Sequence, residues 1–348
     1  MVDLNLHHGG YAHLLSEITG NRIIDFSANI NPLTSKTKLK KIINSSIEKI
    51  SYYPDPQYRT LIKKISDFWN IPQNCILLGN GSVELFYLIT NLLKPKRTLI
   101  NIPTFSEYEF AAKISNSKII FRSILENINL KIPNKNLNVD LEFICNPNNP
   151  TGNLLPVKEY YLSRKNGILV VDEAFMDFVI DEVKHTLIND AVKNKNLIVV
   201  RTFTKIYSIP GLRLGYLIAH KDIITKLKRK TAPWNINILA QMIAEKMLEE
   251  KLFILNTKKY FCKEREYLYN VLSKINSIKA YQSVANFILL KIINEKYTSI
   301  DLKNKFLEKG ILIRDCSNFR GLDNKHFRIA IKKRNENNLF LKLLNEIL

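Results

Sequence analysis

Seven short apolar runs, each followed by a longer polar or amphipathic stretch, narrow what this chain can fold into more than any other feature. They lie at 75–78, 98–102, 118–123, 141–145, 167–171, 197–201 and 215–219. Alternation of this kind implies an α/β fold with a largely parallel sheet covered by helices on both faces, the last strand being free to run the other way. From about residue 238 the texture changes. A long helical pattern over 239–255 leads into three strand-like runs, 287–292, 311–314 and 327–331, interleaved with amphipathic helices. The expected organisation is an N-terminal arm over residues 1–34, a large domain over 35–240, and a smaller α+β domain over 241–348 that the arm packs with and completes.

Composition removes several classes of function. With 348 residues and 46% hydrophobic content, the chain can bury two cores. No apolar run approaches the roughly 18 residues of a membrane span. The opening MVDLNLHHGG lacks the basic and then apolar pattern of a secretory signal, so a cytoplasmic protein is expected, with no membrane partner. Cys75, Cys145, Cys262 and Cys316 are scattered without a C-x-x-C pair, which reads as reduced thiols and no metal site. The net charge of +20 is spread along the chain, which is also rich in Asn and Ile. It therefore points away from a nucleic-acid partner and toward a mild attraction for small anions.

Motifs sit where the strands end, and ligands of open α/β sheets collect there. GNGSVEL at 79–85 is a glycine-bearing turn entering a helix, with Gly81 and Ser82 placed to bind an anion or simply to cap the helix. PTFSEY at 103–108 brings Phe105 and Tyr108 beside the same crevice, for stacking on a planar group or for core packing. NPNNPTG at 146–152 offers Asn149, either as a hydrogen-bond partner for a phenolic oxygen or as part of a proline-built turn. DEAFMDF at 172–178 puts Asp172 at a strand end, an unpaired buried charge unless a cation such as a pyridinium meets it. RTFTKIYSIPGLRLGY at 201–216 supplies Lys205, an amine suited to capturing an aldehyde. Thr202, Thr204 and Arg213 stand around it for a phosphate. Taken singly, Lys205 in so lysine-rich a chain reads as a solvated loop residue; the order of all five motifs is what carries the signal.

In that order the motifs resemble the fold type I enzymes that use pyridoxal 5'-phosphate, in the branch containing histidinol-phosphate aminotransferase and threonine-phosphate decarboxylase. The resemblance covers essentially the whole chain. It implies the aspartate aminotransferase fold, a large domain with a mostly parallel seven-stranded sheet plus a smaller α+β domain. It implies Lys205 as the lysine joined to the cofactor aldehyde, Asp172 at the pyridine nitrogen, Asn149 at the phenolic oxygen and Phe105 stacked on the ring. Gly81, Ser82, Thr202, Thr204 and Arg213 fall around the cofactor phosphate. Tyr53, in SYYPDPQY, matches a tyrosine that reaches the neighbouring subunit's cofactor phosphate, so a homodimer with shared active sites is implied.

Within the branch, HGG at 8–10, DFSANINPL at 25–33, APWNIN at 232–237 and ILIRDCSNFRGL at 311–322 resemble the decarboxylase. Phe175 stands where aminotransferases of this fold usually carry a tyrosine, although a phenylalanine there also suits plain packing. Arg328, in HFRIAIK, matches the family's substrate-carboxylate arginine, and a surface arginine on a strand is its competing account. His8, Asn29 and Arg314 are candidates for the substrate's phosphate; a histidine near a chain end and an asparagine before a proline also occur with no such role. The implied reaction is decarboxylation of a phosphorylated amino acid, O-phospho-L-threonine, to (R)-1-aminopropan-2-yl phosphate for cobalamin biosynthesis. Phosphoserine decarboxylation and histidinol-phosphate transamination are the alternatives, and a non-catalytic sensor or regulator with this fold is a further one.

Overall fold

The computed structural model describes residues 8–125, 137–293 and 295–348; the opening residues 1–7 of the expected arm lie outside them. The arm supplies a two-residue strand, β1 (Ile24–Asp25). The seven apolar runs become β2 (Ile76–Gly79), β3 (Arg97–Ile102), β4 (Lys118–Ser123), β5 (Leu141–Cys145), β6 (Ile168–Asp172), β7 (Leu197–Thr202) and β8 (Gly215–Ala219). They form one sheet in the order β2-β8-β7-β6-β5-β3-β4. β8 runs antiparallel to both of its neighbours, and the other pairs are parallel.

Burial explains why these runs are continuous rather than alternating. Ile76, Leu78, Leu169, Val171, Leu197 and Val199 enter one apolar cluster, while Leu77, Val170, Ile198 and Val200 enter another. Successive side chains of a strand point to opposite faces, so both faces of this sheet are covered and both need apolar residues. The strand order reverses between β3 and β5, because β4 extends the sheet on one side of β3 and the chain then returns to the other. A crevice opens at such a switch point, beyond the carboxyl ends of the strands. The loops carrying Phe105 and Asn149 flank it.

The second sheet is antiparallel, in the order β12-β13-β10-β9, built from β9 (Ile278–Ala280), β10 (Phe287–Ile292), β12 (Arg314–Asp315) and β13 (His326–Ala330). The run expected as one strand over 311–314 is divided. Its first half, β11 (Ile311–Leu312), pairs in parallel with β1, and its second half is β12 on β13. The division follows from the arm: the Phe26 N–H donates to Leu312 O at 2.8 Å while the Ala330 N–H donates to Phe26 O at 2.8 Å. Phe26 thus sits between two strands that would otherwise meet.

The helical pattern over 239–255 is likewise two helices, Ile238–Met247 and Lys251–Leu272, rather than one. At the break, Lys64 binds Glu249 and Lys38 binds Glu250, so two lysines from distant helices meet the acidic pair where the chain turns. Asn237 opens the first helix by accepting the Ala240 N–H at 2.8 Å. Among the described residues no helix is long and apolar enough to cross a membrane, and no His, Cys, Asp and Glu group is arranged to hold a metal.

Candidate active site

A cavity of about 300 Å³ opens at the strand-order reversal. Its walls include Ser82, Phe105, Asn149, Asp172, Thr202, Thr204, Lys205 and Arg213 from in and around the seven-stranded sheet, Arg314 and Arg328 from the four-stranded sheet, and His8 and Asn29 from the N-terminal segment. Gly81 lies directly behind Arg213. Tyr53 alone of the candidates is elsewhere: it is 84% exposed, with its ring 5.0 Å from that of Trp234.

The amine and the carboxylate come from neighbouring strands. β7 ends at Thr202, and the turn after it delivers Lys205, part-buried against the cavity. Burial is the main reason its amine is held down at about 8, and the charges of Arg328 and Arg213 push the same way. Asp172 ends β6 and is 4% exposed. Its Oδ1 accepts the Ala174 N–H at 3.0 Å and its Oδ2 accepts the Tyr108 hydroxyl at 2.6 Å. Desolvation raises this carboxyl to about 6 in spite of both donors.

An anion cradle lies at the start of the helix Gly81–Leu93. Gly81 has φ +78°, and a Cβ there would fall 2.3 Å from Arg213 Nη2; a Cβ on Gly215 would fall 2.7 Å from the Ser82 backbone nitrogen. Only the missing side chains let the guanidinium and the first helical turn come this close. The Thr202 and Thr204 hydroxyls, 2.9 Å apart, complete the rim. Among the described residues the Arg213 guanidinium gives one hydrogen bond, from Nη1 to Pro210 O at 3.2 Å.

Facing the cradle is a wall with two arginines. Arg314 on β12 and Arg328 on β13 are direct register partners. Like charges placed opposite each other in an antiparallel pair are unfavourable. Arg328 is 5% exposed, donates to Asn149 Oδ1 and, at 2.9 Å, to Ser27 O, and leaves its Nε without a partner. Neither partner is a carboxylate. Burial, with a contribution from Arg314, brings this guanidinium down to about 10. Arg314 donates to Asn318 Oδ1 at 2.9 Å and lies over the Phe319 ring at 5.2 Å. Asn29 Oδ1 beside them is buried without a partner, and His8 Nε2 stands 2.8 Å from Glu107 Oε1.

A family model for aminotransferase class I and II matches residues 21–343. The chain belongs to that family. Two curated relatives are 33% identical to it: threonine-phosphate decarboxylase from Salmonella typhimurium, covering 100% of this chain and 98% of the relative, and the adenosylcobalamin biosynthesis bifunctional protein CobDQ from Leptospira interrogans, covering 98% of this chain and 41% of the relative. Among solved structures, the histidinol-phosphate aminotransferase from Clostridium acetobutylicum superposes with a TM-score of 0.86 at 33% identity, over 93% of this chain and 99% of that one.

This aminotransferase-family enzyme has pyridoxal 5'-phosphate as its cofactor, and the cavity fits that group on three counts. A cradle lined by two glycines and a guanidinium suits a phosphate. A buried carboxylate whose two donors, the Ala174 N–H and the Tyr108 hydroxyl, are both uncharged suits a protonated ring nitrogen. A lysine held at about 8 suits an aldehyde. Phe175 also lines the cavity, edge-on to Phe287 at 4.9 Å, and offers no hydroxyl. Three contacts were not legible beforehand, the Tyr108 hydroxyl on Asp172 and those of Glu107 with His8 and with Tyr87. The string PTFSEY showed those residue types; their directions depend on helix Glu107–Ile114 packing back against β3 and β4.

Proposed function

We propose that this enzyme decarboxylates O-phospho-L-threonine to (R)-1-aminopropan-2-yl phosphate, for cobalamin biosynthesis. The observation that carries the proposal is the opposed pair Arg314 and Arg328. Two buried cations on one wall call for a substrate with two anionic groups close together. Phosphothreonine has its carboxylate and its phosphate on adjacent carbons, whereas histidinol phosphate has no carboxylate. The relatives named for threonine-phosphate decarboxylation and for adenosylcobalamin biosynthesis support the same reading.

In this reading Lys205 is the cofactor lysine, Asp172 holds the ring nitrogen, Asn149 the phenolic oxygen, and Phe105 the ring face. Ser82, Gly81, Thr202, Thr204 and Arg213 hold the cofactor phosphate. When bound, pyridoxal 5'-phosphate supplies an aldehyde that holds the substrate amine and a ring that accepts the electron pair left on Cα. Arg328 would grip the substrate carboxylate and fix the orientation of the bond that joins it to Cα. That bond breaks and carbon dioxide leaves. Lys205, whose amine burial holds at about 8, would return a proton to Cα. Arg314, Asn29 and His8 hold the substrate phosphate. Tyr53, exposed on this chain, reaches the active site of a second copy in a homodimer.

Phosphoserine is accepted more weakly, because one methyl is worth only about 1–3 kcal/mol. Histidinol-phosphate transamination is a second reading, favoured by the 33% identity to the Clostridium acetobutylicum enzyme. Purified enzyme incubated with phosphothreonine, phosphoserine or histidinol phosphate, each with and without 2-oxoglutarate, separates them. Carbon dioxide from phosphothreonine without any keto acid is the expected result. Glutamate formed from histidinol phosphate and 2-oxoglutarate, with no carbon dioxide from phosphothreonine, would replace this reading with the aminotransferase.

A further inference from the structure

Tyr108 has no exposed surface and no freedom to turn. It lies in the first turn of helix Glu107–Ile114, its ring stacked on Phe143 at 5.0 Å and 3°, edge-on to Phe86 at 5.0 Å and to Phe105 at 5.8 Å. Phe105 forms the cavity wall, so Tyr108 stands one layer behind it. Aromatic neighbours on three sides fix where its hydroxyl points, and it points at Asp172 Oδ2 from 2.6 Å. Among the described residues Tyr108 is the only side chain that hydrogen-bonds the Asp172 carboxylate.

We propose that Tyr108 is a positioning residue acting through Asp172: its hydroxyl orients the carboxylate toward the cofactor's ring nitrogen and keeps it anionic at a site that otherwise favours the neutral acid. The inference rests on the cofactor and is independent of which reaction follows. A buried carboxylate without donors takes up a proton, and each donor to the anion resists this. Four groups face Asp172. Tyr108 on its helix and the Lys205 amine after β7 favour the charged form, and Glu173, the residue that follows β6, opposes it. The Cys145 thiol on β5 is kept neutral by its own burial and by the Asp172 charge, so it supplies no competing anion. Loss of the hydroxyl removes the one side-chain donor, and an acid that has become neutral no longer attracts a protonated nitrogen.

A tyrosine that served only the core would be replaced by phenylalanine without consequence, and the test follows from that. Cofactor affinity of Tyr108→Phe is measured without substrate, by absorbance of the bound cofactor across a pH series. The expected result is about ten- to hundredfold weaker binding near neutral pH, the range of one hydrogen bond to a charged group. The pH midpoint of the bound cofactor's visible band moves as well. Asp172→Asn weakens binding by itself, and adding Tyr108→Phe to it then changes affinity by no more than about twofold, since the residue it acts through is gone. Wild-type affinity in Tyr108→Phe at every pH would overturn the proposal, and so would two effects that simply add. Should Tyr108→Phe fail to fold, 3-fluorotyrosine placed at position 108 is a stronger donor of nearly the same outline. It is expected to move the midpoint opposite to the loss of a donor, and an unmoved midpoint would overturn the proposal. A wild-type protein that binds no pyridoxal 5'-phosphate is a different failure, of the cofactor assignment.

Discussion

Arg201 and Arg328 are both buried and have opposite surroundings. Arg201 is the next-to-last residue of β7, 0% exposed, with Nε 2.8 Å from Glu173, Nη1 3.1 Å from Asp177, and Glu182 at 3.6 Å. Its Nη2 donates to Thr186 Oγ1 at 3.2 Å, its plane lies 4.7 Å from the Trp69 ring, and Lys258 binds Glu182 at 2.9 Å. Those carboxylates push the guanidinium up. Arg328 has a carbonyl, an amide oxygen and an unused Nε, and burial pulls it down to about 10. One cation is satisfied by its own chain. The other has no carboxylate among its hydrogen-bond partners, an arrangement that a folded protein retains where a ligand brings the missing anion.

The largest effect expected from breaking this contrast is on stability, at Arg201. Arg201→Met leaves Glu173, Asp177 and Glu182 buried around an uncharged side chain, with Lys258 the remaining cation. Removing one partner of a buried ion pair is strongly destabilising, by about 3–5 kcal/mol, and the melting temperature of the cofactor-free protein should fall accordingly. An unchanged melting temperature would mean that Arg201 is no better satisfied than Arg328.

Arg328→Met should do the reverse. The cofactor-free protein loses an unpaired buried charge and keeps or gains stability. Activity toward phosphothreonine drops by about ten- to hundredfold in kcat/KM, the worth of roughly 1.5–3 kcal/mol in hydrogen bonds to a charged group. Thermal melting alongside steady-state kinetics separates the two. A loss of stability with normal kcat/KM would make Arg328 a structural residue.

The same contrast explains what could be read in the sequence. The seven strands were legible because a sheet covered on both faces demands continuous apolar runs, and 167–171 and 197–201 are such runs. Twelve candidate residues meet in one cavity because ligands gather at strand ends, and the motifs mark those ends. The Arg201 cluster was not legible. Glu182 and Lys258 lie far from Arg201 in sequence and carry no motif; an ionisable side chain shows its charge and not its partner. For the same reason the split of 311–314 and the break at 248–250 were missed, since distant residues meet each of them, Phe26 in one case and Lys38 and Lys64 in the other.

Asp172 offers the smallest and sharpest test, because it is the anionic counterpart of Arg328. Its carboxyl rises from 3.8 to about 6 on folding, through desolvation. An acid whose folded value is raised binds protons more tightly in the native state, so its contribution to stability is fully present below the unfolded value. That contribution is lost as pH climbs through the folded value. The cofactor-free protein should therefore lose roughly 1–2 kcal/mol between about pH 4 and pH 7 from this one group, the full linkage being reduced by water that enters the open cavity. Asp172→Asn, which has no proton to lose, should flatten that part of the profile. Bound cofactor should flatten it too, because a protonated ring nitrogen supplies the cation that the apoprotein lacks. Urea denaturation at a series of pH values, on apoprotein, holoprotein and the asparagine variant, measures all three. If the apoprotein and the variant gave parallel profiles, Asp172 would be as well satisfied by its own chain as Arg201 is, and the contrast between the two regions would lose its negative half.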